Sequence, residues 1–445
     1  MVSADGSQAQ TVIDIPFVER LLTADPHNGG AWSTLGVLLR RTGKMHAAAA
    51  CHRRGLGTEP ENGAVWSNLG NVLTEMGQHD LAVAAHERAY TLTPDSLSLA
   101  FNYAIGLRKA GRFTAALAVL ERALRLDPDN AQLLWERSLS CLQVGRYARG
   151  LEDYEARRGI PSYRNRIAPG TPWDGGPLEG RTIFLSTEQG FGDTLLAARY
   201  VPLVKAKGGR VVMECHPELR RILADVGADE FVPAGAPFPH YDVQASLMSL
   251  PMLLGTRYDS VPAPVRITVP GASREKAARM VGPDDGALKV GIVWSGRVTF
   301  ADNARRATGL DQFLRFAGIP GVRLYSLQKG PPESQLAELG TTALVTPLGP
   351  MFEDFGDTAA AIERLDLVMM TDSSVAHLAG SLGKPIWNLV QYVPYWIYGH
   401  EGDRTPWYPS MRLFRQGIEE DWTPVFAQAH RALADLAAQR RNGAV

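Results

Sequence analysis

Apolar and small residues recur along the first third of the chain with a period of 34 residues. Prolines and glycines each keep this interval, at Pro26, Pro60, Pro94 and Pro128 and at Gly43, Gly77, Gly111 and Gly145. A glycine turn between two apolar stretches in a unit of this length predicts a helix–turn–helix repeat. Each helix pair leaves an apolar face that only a neighbouring pair can cover. The pattern therefore predicts a superhelix of four repeats over residues 28–158, preceded by a capping helix at 15–24.

The pattern changes after residue 158, where a stretch rich in proline and glycine is typical of a domain boundary. Short continuous apolar runs then alternate with longer mixed segments. The runs at 182–186 and 365–370 predict buried strands, and the segment 288–296 predicts a buried strand followed by a turn of small residues. Alternating strands and helices predict parallel sheets. We therefore expect a multidomain chain in which the all-α superhelix is followed by two α/β units.

The mixed segments predict the helices and the join between the two units. Helices are expected at 195–205 and 218–226 in the first unit, and the segment 262–286 is expected to link the units. A final amphipathic helix at 424–440 is expected to pack back across the first α/β unit. The expected domains are residues 1–158, 159–280 and 281–445.

Composition excludes several classes of function. The chain has 445 residues, 45% of them hydrophobic, and a net charge of -1, which gives no reason to expect nucleic acid or an anionic membrane as partner. Three widely separated cysteines offer neither a disulfide framework nor zinc spacing. Residues 1–16 lack the basic start and apolar core of a signal peptide, and no apolar run is long enough to span a membrane. We therefore expect a cytoplasmic protein.

The segment TDSSVAHLAGSLGKP, residues 371–385, carries the first candidate site. It follows a predicted strand and opens a short helix with Asp372, Ser373 and Ser374, while His377 lies on the same helical face. A strand that leads into a helix start is where open α/β sheets bind phosphates. The alternative is structural: Asp372 caps the helix and His377 is a core histidine.

The segment EQGFGDT, residues 188–194, carries the second candidate site. Gly190 and Gly192 do not complete the GxGxxG fingerprint, so nicotinamide binding is disfavoured. Asp193 follows them at a predicted helix start, where the helix dipole is expected to keep its carboxylate ionised. An ionised carboxylate beside the crevice suits a general base that deprotonates a hydroxyl. The alternative role for Asp193 is an N-cap.

Polar residues also follow the strands of the second unit. Arg305, Arg306 and Lys329 are cations that could neutralise a diphosphate leaving group, with surface solvation as the alternative for each. Ser295 and Gln328 lie beside them at the ends of predicted strands. No Asp-x-Asp occurs in this half, so we expect phosphates to be held without a metal.

Aromatic residues are dense near the C-terminus, at Tyr392, Tyr395, Trp396, Tyr398, Trp407 and Tyr408. Such side chains either stack on a sugar or base, or pack a seam between domains. The seam is the favoured interpretation.

Two families resemble the two parts of the chain. The segment 65–95 resembles the tetratricopeptide repeat (TPR) along its whole length. Four blocks in the later part, EQGFGDTLLAARYVPLV, VGIVWSG, YSLQKG and TDSSVAHLAGSLGKPIW, resemble the bacterial heptosyltransferase group of GT-B glycosyltransferases. The resemblance implies two Rossmann-like domains, an acceptor-side domain at 159–280 and a nucleotide-sugar-binding domain at 281–445. It further implies an inverting, metal-independent transfer from a nucleotide sugar without any cofactor.

The resemblance also implies roles for single residues. The catalytic base of the group falls on Asp193, and its donor-phosphate cation falls on Arg305 or Arg306. Its donor-binding block falls on Asp372, Ser373, Ser374 and His377, with a serine at 374 where many relatives have glycine. Gly190, Gly192, Ser295, Gln328 and Lys329 are expected to complete the donor-binding set.

Three hypotheses follow for the whole chain. In the first, the TPR groove brings a protein acceptor, such as a flagellin or an adhesin, to a glycosyltransferase that glycosylates its Ser or Thr hydroxyls. In the second, the acceptor is a lipopolysaccharide or another polysaccharide, and the repeats serve assembly, including homo-oligomers. In the third, the chain is a TPR adaptor whose transferase fold no longer catalyses.

Overall fold

The computed structural model describes residues 13–161, 167–188, 190–300 and 303–442. The expectations about residues 1–12, and the part of the predicted boundary stretch at 162–166, lie outside this range. The chain divides into two compact units, Met1–Ser140 and Cys141–Val445.

The first unit consists of helices. They are α1 (Ile15–Ala24), α2 (Gly29–Arg41), α3 (Met45–Thr58), α4 (Gly63–Glu75), α5 (His79–Leu92), α6 (Leu97–Lys109), α7 (Phe113–Leu126) and α8 (Ala131–Gln143), whose last residues belong to the second unit. The predicted capping helix is α1, and the predicted repeats begin with the pair α2 and α3. This confirms the helical prediction for the first part of the chain.

The 34-residue period recurs in the local contacts of the helices. The side chains of Asn28 and Asn62 accept hydrogen bonds from the first turns of α2 and α4, at 2.8 Å from Ala31 N and 3.1 Å from Ala64 N. The four periodic glycines adopt φ between +70° and +77°, a conformation that closes the turn between paired helices. The repeat is therefore encoded by residues that act within their own unit.

After the end of α8, the second unit continues with α9 (Tyr147–Tyr154) and contains two parallel sheets. The first sheet has β1 (Thr182–Ser186), β2 (Arg210–Cys215), β3 (Glu230–Pro233) and β4 (Val243–Ser246), in the order β3-β2-β1-β4. Its helices are α10 (Phe191–Ala197), α11 (Val201–Lys205) and α12 (Leu250–Leu253), and α13 (Gly271–Val281) follows. All strand pairs of the sheet are parallel, as predicted.

The second sheet has six parallel strands. They are β5 (Leu288–Val293), β6 (Val322–Ser326), β7 (Val345–Pro347), β8 (Leu367–Thr371), β9 (Ile386–Val390) and β10 (Met411–Arg415), in the order β10-β9-β8-β5-β6-β7. Its helices are α14 (Asn303–Arg306), α15 (Leu310–Leu314), α16 (Gln335–Glu338), α17 (Phe355–Glu363), α18 (Ser374–Ser381) and α19 (Thr423–Arg441). Buried runs such as Leu288–Val293 and Leu367–Thr371 form its centre, as their continuous apolar character predicts.

Three helix predictions need correction. The helix expected at 195–205 begins earlier, at Phe191, and is interrupted before Val201, where a proline follows. The helix expected at 218–226 is only a short 3₁₀ turn, Pro217–Leu219, followed by further turns. Helix α19 packs on the second sheet and not on the first, because Phe426 and Leu433 share the apolar core of β5.

Each sheet has a point at which the strand order reverses. In the first sheet this switch point lies between β1 and β4, and in the second it lies between β5 and β8. Parallel α/β sheets bind ligands in the crevice outside the carboxyl ends of the strands at such points. The segment 187–193 follows β1, and the segment 372–377 follows β8. Both candidate sites therefore lie at switch points.

Within the described residues, no helix combines the length and apolar character needed to cross a bilayer. The same part of the chain contains no cluster of three or more His, Cys, Asp or Glu side chains arranged to hold a metal ion.

Candidate functional site

The two switch points lie against each other, because α10 packs on α18. A Cβ atom on Gly192 would lie 3.0 Å from Cδ2 of His377 and 3.7 Å from Cα of Ser374. Gly190, two residues earlier, has open space at the same position. The absence of a side chain at Gly192 thus lets the turn after β1 approach the start of α18.

Asp193 lies in the first turn of α10, and its Oδ1 accepts a hydrogen bond of 3.0 Å from the hydroxyl of Tyr395. Protein atoms surround the carboxyl densely, although part of the residue remains accessible to solvent. Burial raises the pKa of Asp193 to about 6, the carboxylates of Glu188 and Asp372 add to the rise, and Tyr395 and Arg306 oppose it. The expected effect of the helix dipole is therefore outweighed by desolvation.

Glu188 is a second carboxylate at this switch point, and sequence reasoning did not single it out. Arg157 holds it in a bidentate pair, with Nε–Oε2 at 2.7 Å and Nη2–Oε1 at 2.5 Å, and also donates to Ser249 at 3.0 Å. Burial raises the pKa of Glu188, but the hydrogen bonds and charge of Arg157 outweigh it and leave the pKa below its usual value. Glu188 therefore remains a fixed negative charge near Asp193.

Asp372 does not cap α18, which makes the structural alternative for this residue wrong. The N-cap position belongs to Ser373, and the carboxylate of Asp372 binds Tyr398 OH at 2.8 Å and Arg306 Nη1 at 3.5 Å. The side chain of Ser373 makes no capping hydrogen bond. In the described part of the chain, Ser373 Oγ and Arg306 Nε are buried polar atoms without a hydrogen-bond partner. The start of α18 therefore keeps hydrogen-bonding capacity for a ligand.

The two candidate arginines differ in position. Arg306 reaches the second switch point through Asp372, and its guanidinium lies over the ring of Phe300 at 4.5 Å. Arg305 is half-buried and makes no hydrogen bond or ion pair with another described residue. The structure thus brings Arg306, and not Arg305, to the candidate site.

Gln328 and Ser295 shape the loop after β5. Oε1 of Gln328 accepts from the backbone N–H groups of Trp294 and Ser295 at 3.1 and 3.0 Å, and its Nε2 donates to Ser295 O at 3.0 Å. Asn303, which sequence reasoning missed, donates to Ser295 Oγ at 3.1 Å and accepts from Gly296 N at 3.1 Å. These side chains hold the loop in place with their own polar groups.

The side chain of Lys329 binds backbone carbonyl groups and not Arg306 or Asp372. Its ammonium donates to the backbone carbonyls of Phe352 at 2.7 Å and Gly349 at 3.2 Å. The structure therefore does not bring Lys329 together with Arg306 as a pair of phosphate-neutralising cations.

His377 is buried, and its Nδ1 lies 3.0 Å from the hydroxyl of Tyr408. Burial, together with the positive charges of Arg199 and Arg306, lowers the pKa of His377 to about 3. The imidazole is neutral at neutral pH, so it contributes a polar group to the site but no positive charge.

The aromatic segment supplies a partner to each of three predicted site residues. Tyr395, Tyr398 and Tyr408 bind Asp193, Asp372 and His377 through their hydroxyl groups. The two tryptophans pack against helix α9 within the second unit: Trp396 lies edge-on to Tyr147 and Tyr154, and Trp407 donates to Tyr147 OH at 2.7 Å. The sequence feature that indicates these contacts is tyrosine, and not phenylalanine, at the three positions, because a buried phenol hydroxyl needs a hydrogen-bond partner.

The arrangement combines two chemical capacities. A carboxyl group with a pKa of about 6 lies at the first switch point and can accept a proton near neutral pH. An arginine and a helix start lie at the second switch point, each with a buried polar atom that has no hydrogen-bond partner among the described residues, and they can bind an anion. The packing of α10 on α18 brings the two switch points together.

Comparison with known proteins identifies the repeats. Models of the tetratricopeptide repeat match residues 61–129 and 104–163. Protein FlbA of Caulobacter vibrioides is 28% identical over 328 residues, which cover 65% of this chain and 52% of the relative. The chain thus spans about half the length of this curated relative.

Solved structures show weaker likenesses. A crystal structure of MamA is 16% identical, with a TM-score of 0.30, and covers 32% of this chain and 83% of its own. A glycosyl transferase family 9 structure from Veillonella parvula is 12% identical, with a TM-score of 0.46, and covers 59% of this chain and 99% of its own. The matched repeat models agree with the helix pairs and the 34-residue period. The helical part of the chain is therefore built of tetratricopeptide repeats.

Proposed function

We propose that the second unit is a glycosyltransferase that moves a sugar from a nucleotide-sugar donor to an acceptor hydroxyl. The four blocks that resemble the heptosyltransferase group fall at or near the carboxyl ends of β1, β5, β6 and β8, where ligands of parallel sheets bind. The observation that carries the proposal is the position of Asp193. Its carboxyl group lies near enough to Arg306 of the other sheet to sense its charge, and α10 packs on α18, the helix that follows β8.

Each residue then has a defined role in the reaction. Asp193 takes the proton of the acceptor hydroxyl as that oxygen attacks the anomeric carbon of the sugar. The new carbon–oxygen bond forms on the face opposite the breaking bond to the nucleotide diphosphate, so the anomeric configuration inverts. Arg306 and the N–H groups at the start of α18 stabilise the negative charge of the leaving diphosphate. The proposal assigns no step to a metal ion or a cofactor.

The acceptor is proposed to be a protein that the repeats recruit. Tetratricopeptide repeats stack into surfaces that commonly bind extended peptides. A Ser or Thr hydroxyl of a flagellin-like or adhesin-like protein would then be the group that Asp193 deprotonates. These reactions are proposed to take place in the cytoplasm, where nucleotide sugars serve as donors.

Replacement of Asp193 by asparagine tests the proposed base. Asparagine keeps the shape of the side chain and its carbonyl can still accept from Tyr395, but it cannot take a proton. We expect Asp193→Asn to lower sugar transfer by about a hundredfold to ten-thousandfold while the donor still binds. Nucleotide release with a panel of sugar nucleotides and a candidate acceptor measures the first quantity, and calorimetric titration with the donor measures the second.

Asp229→Asn is the matched control, because Asp229 forms an exposed ion pair with Lys205 outside the crevice. It should leave transfer unchanged. Transfer by Asp193→Asn at the wild-type rate would show that Asp193 is not the base. An absence of turnover by the wild-type protein, together with partner binding by the repeats, would favour the adaptor hypothesis, and transfer only to a glycan would favour a polysaccharide acceptor.

A further inference from the structure

The hydrogen-bond donor to the Asp193 carboxylate comes from a distant part of the chain. Tyr395 OH lies 3.0 Å from Oδ1 of Asp193, and 202 positions separate the two residues. Burial and the negative charge of Asp193 raise the pKa of Tyr395 well above its ordinary value. The phenol therefore stays protonated and always has a hydrogen to donate.

The turn that carries Tyr395 is anchored on both sides. Trp396 is 2% exposed and lies edge-on to Tyr147 of α9, with ring centroids 5.9 Å apart. Nε2 of Gln143 donates to Pro394 O at 2.5 Å, and Gln143 O accepts from His400 N at 3.3 Å. The position of the Tyr395 hydroxyl is thus set by packing that does not involve Asp193.

Charged groups face Asp193 from several elements. Glu188 after β1 and Asp372 after β8 repel its negative charge, while Arg306 of α14 attracts it. On α18, the neutral His377 lies across Gly192, and its partner Tyr408 also senses the charge of Asp193. Among these groups, Tyr395 is the one whose direct hydrogen bond to the carboxylate is seen. It can therefore both hold the carboxylate and stabilise its charge between two repelling neighbours.

We propose that Tyr395 is a positioning residue for Asp193. Its hydroxyl holds Oδ1, so that Oδ2 is presented to the acceptor hydroxyl in a fixed orientation. The inference rests on the proposed function, because it assigns Asp193 the role of base. It adds that the anchored turn at 394–400, and not the glycine turn alone, determines the orientation of the base.

The test is the pH profile of Tyr395→Phe. The wild-type acid limb of kcat/KM is expected near pH 6, where Asp193 gains its proton. Loss of a hydrogen bond to the ionised carboxylate favours the protonated form, so the limb of Tyr395→Phe should move to higher pH. At about pH 6 the kcat/KM of the variant should fall by about tenfold or more. At alkaline pH, where Asp193 is ionised in both proteins, a smaller loss should remain because the orientation of Oδ2 is no longer fixed. The KM for the donor should not change.

Tyr241→Phe is the matched control, since Tyr241 donates its hydroxyl to Pro169 O at 2.8 Å and takes no part in the crevice. Its profile should coincide with the wild-type profile. An acid limb of Tyr395→Phe that also coincides with the wild-type limb overturns the inference.

Failure of the proposed function is recognised separately. If wild-type protein releases no nucleotide from any donor, the proposed transfer is refuted. The ¹³C NMR titration of the Asp193 carboxyl in the full chain then tests the contact between Tyr395 and Asp193 without turnover. A pKa that rises in Tyr395→Phe supports the positioning role, and an unchanged pKa overturns it.

Discussion

At the scale of single residues, the proposed anion site depends on which of two adjacent arginines reaches the second switch point. Arg306 contacts Asp372, keeps a buried Nε without a hydrogen-bond partner among the described residues, and lies beside the loop after β5. Arg305 belongs to the same short helix, α14, but the hydrogen bonds and ion pairs of Asp372 with described residues are made by Arg306 and Tyr398. Substitutions of Arg305 and Arg306 can therefore be compared directly, because both remove one positive charge from the same short helix and only Arg306 binds Asp372.

We expect Arg306→Ala to weaken binding of the nucleotide-sugar donor by about tenfold to a hundredfold, because a charge-assisted hydrogen bond to a phosphate is lost. Arg305→Ala, which removes the same charge one residue earlier, should change the affinity by less than about twofold. Calorimetric titration of both variants with the donor measures the difference. Equal losses in the two variants would contradict the assignment of Arg306.

At the scale of elements, the repeats contain two buried histidines with lowered pKa values, which we expect to make the first unit sensitive to acid. His52 of α3 and His86 of α5 are 0% and 1% exposed, and both rings occupy the space above a glycine, Gly36 and Gly70. Burial lowers the pKa of His52, with a contribution from Arg40, and that of His86, each to about 4. The imidazoles are therefore neutral in the folded repeats.

The direction of the pH dependence follows from these values. An unfolded histidine binds its proton near pH 6.5, whereas the folded residues bind theirs near pH 4. Between these values the unfolded chain carries more protons, so the free energy of unfolding falls as the pH falls. Each neutral histidine makes its full contribution to the free energy of unfolding above about pH 6.5. Complete protonation at low pH would remove about 3 kcal/mol of that free energy per histidine.

We expect His52→Leu and His86→Leu to reduce the loss of stability between about pH 6.5 and 4. Leucine is a suitable replacement because Leu120, 34 positions after His86, is a buried leucine at the same phase of the repeat. The measurement is differential scanning calorimetry of the full chain at several pH values, which resolves the unfolding of separate units. His46→Leu is the control, since His46 is exposed on α3. A pH dependence that survives both buried substitutions would contradict the explanation.

At the scale of the whole molecule, the end of α8 and the residues that follow it up to residue 158 belong to the unit that carries the candidate site. Gln143 and Tyr147 hold the aromatic segment, and Arg157 holds Glu188, all within Cys141–Val445. The position at which the repeats are removed therefore determines what a truncation tests.

We expect the fragment 141–445 to retain nucleotide release with a small acceptor, whereas protein glycosylation should fall by about a hundredfold as recruitment is lost. The fragment 159–445 should lose both activities, because the contacts of Gln143, Tyr147 and Arg157 are missing. Nucleotide release and the intact mass of the acceptor protein measure the two activities. Wild-type glycosylation of the protein by 141–445 would contradict recruitment by the repeats.

The sequence alone determined the elements whose information is local. The 34-residue period predicts the helix pairs because each repeat contains its own caps, glycine turn and apolar positions. Continuous apolar runs likewise predict the central strands, and the order of strands and helices predicts parallel sheets. The positions of Asp193 and Asp372 after such strands could therefore be predicted, since carboxyl ends of parallel strands meet at one edge.

Only the tertiary structure decided which side chains meet there. Tyr395 and Tyr398 reach the two carboxylates from a segment that looked like seam packing, and Gln328 and Lys329 turn to backbone groups instead of the crevice. These pairings depend on contacts between residues far apart in the chain, and no local pattern encodes them. The raised pKa of Asp193 has the same origin, because burial and neighbouring charges from several elements outweigh the effect of its own helix.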